Sequence, residues 1–446
     1  MKQEKIRLSD HFSYGRLIRF TIPVIGTMIF TSIYGVVDGF FVSNYVGAVP
    51  FAALNLVWPV LMLLSAVGFM FGSGGTALVS MTLGMGRPEK ANRIFSLIVY
   101  SLIAAGAVLS AAVFAGAEQV SRLLGANAEM LPYCVLYLRI NLVGLIFFML
   151  QNLFQSFLIT AEKPKLGLAV TVAAGLTNMV GDWLLVGCLR LGLAGAALAT
   201  IGSQFIGGVI PLIWFFLPGK KLLRLGRTRF DLNALVKTCA NGCSEFFSNV
   251  SASIVGILYN YQLLHYIGTN GVAAYGVIMY VNFLFVGVFF GYAMGVSPVV
   301  GFHFGAKNTD ELKSLFRKSL ALIGAAAVLM TIASELASGA LVGIFVGYDP
   351  ELNALTVRGF RIYTIAFLFM GFNIFGSAFF TALNDGKLSA ILSLSRTLVL
   401  QLILIYVLPV LLGADGLWLV VVATESLSIL LTAAFLIRFS KKYQYI

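Results

Sequence analysis

The sequence predicts an all-α polytopic membrane protein, with twelve transmembrane helices in two six-helix lobes related by pseudo-two-fold symmetry along the membrane normal. Three observations carry this expectation. The 446-residue chain is 59% hydrophobic and only 11% charged, against roughly 45–50% and 25% in soluble domains. It divides into about a dozen apolar blocks. Its second half repeats its first.

A water-soluble globule of this composition would expose a large apolar surface and aggregate, so bilayer lipid is the solvent that fits. The 46 glycines against 11 prolines suit helix packing through small residues, where backbones approach closely. Polar punctuation separates blocks at 16–44, 52–85, 94–117, 131–161, 166–188, 193–217, 238–266, 272–305, 316–346, 352–382, 388–412 and 414–438. Most reach the ~20 helical residues that ~30 Å of hydrocarbon demands. These are spans 1 to 12.

The net charge of +12 invites a nucleic-acid reading, which its distribution excludes. Arg122, Arg139, Arg190, Arg358 and Arg361 fall on one side of the predicted membrane, and the other 25 of the 30 basic residues on the opposite side. Such a bias orients a membrane protein with its basic loops inside. Both termini are therefore expected in the cytoplasm, with the protein in the plasma (inner) membrane and its basic excess against lipid headgroups. The N-terminal block is too long for a signal-peptide core and lacks a small-residue cleavage motif, so it is read as a retained span. Cys134, Cys188, Cys239 and Cys243 are too few and scattered for a disulfide scaffold. Cys239 and Cys243 stand one helical turn apart, but no histidine accompanies them in sequence, and small buried residues are expected there rather than a metal centre.

Shifting the chain by 221 residues lays Tyr266-Ile267-Gly268 on Tyr45-Val46-Gly47, Ala273-Ala274 on Ala52-Ala53 and Phe304-Gly305 on Leu83-Gly84. At 222, Arg361-Ile362 meets Arg139-Ile140 and Lys387-Leu388 meets Lys165-Leu166. An even number of spans per repeat gives both repeats one orientation. The predicted organisation is an N-lobe at 1–217, a cytoplasmic linker at 218–231 and a C-lobe at 232–446. The chain contains no G-x-x-x-x-G-K-[ST] phosphate loop and no nucleophile–base constellation, so enzymatic activity is not expected. No cofactor is expected beyond a coupling ion, and transport would draw on an ion gradient.

An ionisable residue inside a span costs roughly 2.5–3.5 kcal/mol on insertion scales, so each needs a reason. Asp38 in span 1 and Asp182 in span 5 each stand six residues from the outer end, roughly 9 Å deep at 1.5 Å per residue. Thr200 in span 6 reaches a similar depth, and Asn178 shares the helix face of Asp182. Two carboxylates, an amide and a hydroxyl at one level form a candidate site for exchanging a proton or Na⁺; the bland alternative is that the acids glue helices by hydrogen bonds. In the second repeat the equivalent positions are Tyr259, Leu404, Leu400 and Val421 or Val422, so only the N-lobe carries the acids. Tyr34, Asn152 and Gln155 are candidate lining of the N-lobe cavity. Glu245 reads equally as a cavity acid or as a favourable charge near a helix N-terminus. Glu425 is expected to make a structural hydrogen bond, and the basic residues are expected at span ends.

At these residues the sequence resembles the multidrug and toxic compound extrusion (MATE) family, over nearly its whole length. The most recognisable pieces are Asp38-Gly39-Phe40-Phe41, Ala52-Ala53-Leu54, Gly84-x-Gly86, Gly295-x-x-Pro298 and Gly305-Ala306-Lys307. Pro23, Asn178-x-x-x-Asp182 and Thr200 look like the N-lobe cation site of the DNA-damage-inducible exporter branch. The resemblance implies a V-shaped cleft between two bundles, and antiport of H⁺ or Na⁺ against organic cations. It implies bending of helix 1 at Pro23 as the ion binds. Other branches carry acids in helices 7 and 10, where this chain has Ser251 and Met370-Gly371. The expected partners are small cationic amphiphiles and membrane lipid, with the protein a monomer. The rival reading within the superfamily is a flippase for lipid-linked oligosaccharides, whose phosphates call for a basic cleft.

Overall fold

The computed structural model describes residues 6–446; the first five positions of the predicted N-lobe lie outside the described residues. Twelve rods run through it: α1 Tyr14–Tyr45, α2 Ala48–Gly84, α3 Pro88–Ala115, α4 Leu131–Thr160, α5 Pro164–Gly181 with a π-helical turn Asp182–Cys188, and α6 Gly192–Phe216. The second set is α7 Leu232–Tyr266, α8 Thr269–Gly305, α9 Thr309–Val346, α10 Pro350–Thr364 plus Phe367–Ala382, α11 Gly386–Leu394 with a π-helical turn Ser395–Leu400 and then Gln401–Leu412, and α12 Ala414–Tyr443. Ten are long and apolar enough to cross a membrane, and α10 is an eleventh, bent by 51° at its break. The twelfth, α7, has 35 residues but is too polar to qualify on composition, because it buries Asn241, Ser244, Ser251 and Gln262.

Local chemistry starts these helices where the sequence punctuates them. Ser13, Asp231, Asn308 and Asp385 each accept a hydrogen bond from a first-turn N–H at 3.1–3.3 Å, satisfying donors that have no partner within the helix. The repeat is also written into the backbone. Left-handed φ angles recur at Gly47 and Gly268 (97° and 88°), Gly86 and Lys307 (73° and 55°), Glu162 and Asn384 (both 59°), and Gly192 and Gly413 (58° and 63°). The same turns therefore close equivalent helices in each half.

The halves meet along α1–α8, α2–α7 and α2–α8, and glycine makes the contact at the face bearing the basic loops. A Cβ on Gly84 would overlap the Phe302 carbonyl, and a Cβ on Gly305 would overlap that of Met81. Residues 84 and 305, like 81 and 302, are 221 apart, so these two contacts are symmetry mates. Gly242 lies against Met70 and Gly74 in the same way, and its mate position, Thr21, lies against Gly295. The seam is thus an internal two-fold interface, closed backbone to backbone. Asn384 adds a hydrogen bond across it, to the Ala77 carbonyl at 3.0 Å.

One boundary departs from the predicted lobes. The segment before α1, assigned by sequence to the N-lobe, packs Leu8 and Phe12 into an apolar cluster with Val299, Phe316 and Phe379 of the second half. Glu311 of α9 accepts the Phe12 N–H at 2.9 Å, while Glu162 in the α4–α5 turn accepts that of Leu8 at 2.9 Å. The apolar side chains gain burial there that their own lobe does not offer, and the segment straps the two halves together.

The seam yields a direct test. Gly84→Val and Gly305→Val should each lower the thermal unfolding midpoint of the purified protein, as overpacking costs about 1–3 kcal/mol. Gly256→Ala, in mid-α7 with open space around it, should leave the midpoint unchanged. Equal behaviour of all three would show that the seam tolerates added volume.

Candidate functional site

The N-lobe site is built by close approach of α1, α4, α5 and α6. Gly175 on α5 lies under Tyr34 of α1; a Cβ there would come within 2.9 Å of Tyr34 Cδ1. Gly181 lies against Ala199 of α6, where an added Cβ would stand 2.9 Å from the alanine methyl. These missing side chains let α5 sink between its neighbours. Its helix then widens into the π-turn that begins at Asp182, a distortion that re-aims side chains and often marks functional sites.

Asp182 is fully buried, and Asn178 is buried one turn earlier. The half-buried Asp38 of α1 faces both of them. Tyr137 of α4, also buried, stands beside Asp38, Asp182, Asn141 and Thr200. The Thr200 hydroxyl donates to the Ala196 carbonyl at 3.0 Å, leaving its lone pairs towards Tyr137. The structure thus brings together all four residues proposed from sequence as the ion site. Among the described residues, no group hydrogen-bonds either carboxylate oxygen of Asp182, and the Asn141 Oδ1 is also unsatisfied. Among the described residues, no ion pair includes Asp38 or Asp182. Buried carboxylates without a basic partner are stable only with a proton or a cation between them.

The proposed cavity lining divides. Tyr34 stands beside Asp38, but its amide partner is Gln151, a residue outside the expected cavity lining. Asn152 turns away and donates to the Ser65 carbonyl at 3.4 Å, joining α4 to α2. Gln155 is half-buried on the same helix. Gly207 of α6 makes room for Gln151, since a Cβ there would collide with the Gln151 side chain, an approach between helices that the sequence does not reveal. Pro23 is buried within α1, which continues past it unbroken.

The C-lobe equivalent of the acid site is apolar and aromatic. Tyr259 is buried, donates its hydroxyl to the Leu417 carbonyl and stacks on Tyr275 with ring centroids 4.4 Å apart. Leu404, Val421 and Val422 pack into the same cluster.

A second polar site lies elsewhere and corrects one expectation. Arg396 is not at a span end. It sits in the π-turn of α11, its side chain 14% exposed, and pairs with buried Glu425 of α12 at 3.1 Å. Asn373 of α10 donates to the other Glu425 oxygen at 2.7 Å. A single arginine ten residues into α11 gives no sign, in an otherwise apolar block, that it lies inside the membrane. Arg396 and Glu245 line one cavity of about 60 Å³ between the halves, with hydroxyls of Ser73, Thr76, Ser248 and Ser377. Among the described residues, no side chain hydrogen-bonds the Glu245 carboxylate, while its backbone carbonyl accepts from Asn249 at 2.8 Å.

Comparison with known proteins agrees with this architecture. The profile of the MatE family matches residues 23–184 and again residues 246–407, so both halves carry the same module. The chain is 24% identical over 429 residues to the multidrug export protein MepA of Staphylococcus haemolyticus, covering 95% of this chain and 93% of that protein. It is 23% identical over 416 residues to MepA of Staphylococcus aureus strain MSSA476, covering 92% and 90%. Its fold superposes with a TM-score of 0.93, at 20% identity and full coverage of both chains, on an outward-facing multidrug resistance MATE transporter of the MOP superfamily.

The Arg396–Glu425 pair can be weighed by a double-mutant cycle. Arg396→Met strands a buried carboxylate and should destabilise the protein by about 3–5 kcal/mol. Arg396→Met combined with Glu425→Gln should recover much of that loss, read as the thermal midpoint of purified protein. Additive losses would mean that the two side chains do not act as a pair.

Proposed function

Because the chain belongs to the MatE family, we propose that it is a multidrug efflux transporter of the plasma membrane that exports small cationic amphiphiles in exchange for H⁺ or Na⁺. The carrying observation is the acid pair of half-buried Asp38 and buried Asp182, without a basic partner among the described residues in one lobe and replaced by an apolar and aromatic cluster in the other. An ion can drive a conformational change only through its different affinity for two states, and a site built from α1, α4, α5 and α6 is placed to provide that difference. The sealed seam at the basic face supports an outward-facing state. A proton or Na⁺ arriving from outside neutralises the pair, and α1 repacks at Pro23, which lacks the N–H that would close the helix there. The cargo is released, and the lobes rock to reopen the inner side.

Glu245 serves this scheme as a carboxylate for the cationic head of the cargo. Arg396 does not turn the cavity basic, because Glu425 holds it in a neutral pair. This weighs against the flippase, whose phosphates need free cations. The charge bias of the loops supports cytoplasmic termini, and no oligomer is required for the mechanism.

In proteoliposomes loaded with ethidium, an imposed pH or Na⁺ gradient should drive efflux by the wild-type protein. Asp38→Asn and Asp182→Asn should reduce it to background while reaching the membrane normally. Asn178→Ala should slow it roughly tenfold, the worth of one hydrogen bond to a charged group, and Tyr259→Phe should leave coupling intact. Wild-type efflux from both aspartate variants would reduce the acids to helix glue.

Orientation has its own test, in a background with the four native cysteines replaced. Leu123→Cys and Tyr348→Cys, at positions 86% and 81% exposed, should label with an impermeant maleimide in intact cells. Glu89→Cys should label only after permeabilisation. The opposite pattern would invert the topology.

A further inference from the structure

We propose that the groove between the α2–α3 turn and the α6–α7 linker is a binding site for the headgroup of an anionic phospholipid. It is lined by five cationic side chains, Arg87, Lys90, Arg93, Arg227 and Arg229, and encloses about 1090 Å³. Two acids face them, Glu89 and Asp231, and Asp231 already accepts the Ala234 N–H at 3.1 Å. Among the described residues, none of the five cations takes part in an ion pair. The groove therefore holds uncompensated positive charge, which attracts phosphate.

The linker is held in place, so this is a formed site and not a loose basic loop. Asn92 of α3 accepts the Arg224 N–H at 2.7 Å, and Ser96 accepts that of Gly226 at 3.0 Å. Thr228 donates to the Arg93 carbonyl at 2.9 Å, and Tyr100 to the Gly226 carbonyl at 3.2 Å. Leu223 and Leu225 are buried beneath. Arg227 and Arg229 are consequently fixed beside the first turns of α3.

Position and polarity select a lipid over a free anion. The groove lies where α3 and α7 begin and α6 ends, at headgroup depth. Its floor includes Ile94 and Leu97, and Phe230, Leu232 and Val236 stand exposed at its edge, 76%, 62% and 56% accessible. A phosphate at the guanidinium groups and acyl chains along these apolar side chains match one amphiphile. Because the linker joins the two lobes, a lipid seated here would hold it to the N-lobe as one body. The inference rests only on the chain crossing a membrane, and not on its cargo or coupling ion.

Native mass spectrometry of the delipidated protein tests it, with dioleoylphosphatidylglycerol and dioleoylphosphatidylcholine as probes. The wild type should retain phosphatidylglycerol in preference. Arg227→Gln with Arg229→Gln should weaken that retention by about fivefold per charge removed. Lys313→Gln with Arg317→Gln, an equal charge loss on α9, should change it little. Gel filtration confirms folding, and Lys90→Gln alone provides the same readout if the double variant fails to fold. Equal losses in both double variants, equal retention of the two lipids, or displacement by inorganic phosphate alone would each overturn the proposal.

Discussion

Everything in this molecule hangs on a backbone-to-backbone seam near the basic face. Hydrocarbon offers no hydrophobic drive for one apolar helix to join another, so association depends on close packing and on the hydrogen bonds that close packing allows. Gly84 against Phe302 and Gly305 against Met81 provide it twice over, related by the internal two-fold. The strap at Leu8–Phe12 adds an asymmetric tie across the same face.

That symmetry is architectural and stops short of the chemistry. Both repeats break their fifth helix with a π-turn, but at different heights and around opposite charges, Asp182 in one and Arg396 in the other. Arg396 finds Glu425, whose other oxygen accepts from Asn373, so the cost of its charge is met inside the protein. Asp182 finds another acid and two unsatisfied oxygens. A packed, paired lobe and an acidic, unpaired lobe respond differently to an arriving ion. This difference is what the proposed exchange mechanism requires, since an ion that bound both lobes alike would bias neither state.

The seam and the acid site also stand in tension. Alternating access demands that the glycine contacts part, which forfeits dispersion along three helix pairs and exposes backbone carbonyls such as those of Phe302 and Met81. In the proposed cycle, neutralising the acid pair lets α1 shift, and α1 is both the wall of that site and a member of the seam through Thr21 and Ile25. One helix thus touches the ion site at one end and the seal at the other.

The sequence by itself determined the membrane class, the two-fold repeat, the spans and the shared level of four polar residues in the N-lobe, because hydropathy, register and charge cost are written locally. Each of Asp38, Asn178, Asp182 and Thr200 could be placed by counting residues from a span end. Tertiary structure alone decided what each of them meets. Gln151 was invisible beside Asn152 and Gln155, since three polar residues on one helix differ only in which neighbour their face is turned towards. Arg396 was hidden because its partner is 29 residues away on another helix, and a lone charge in an apolar block signals neither burial nor pairing. The π-turns left no trace in the apolar pattern, for a one-residue widening of a helix changes which way a side chain points without changing the composition around it.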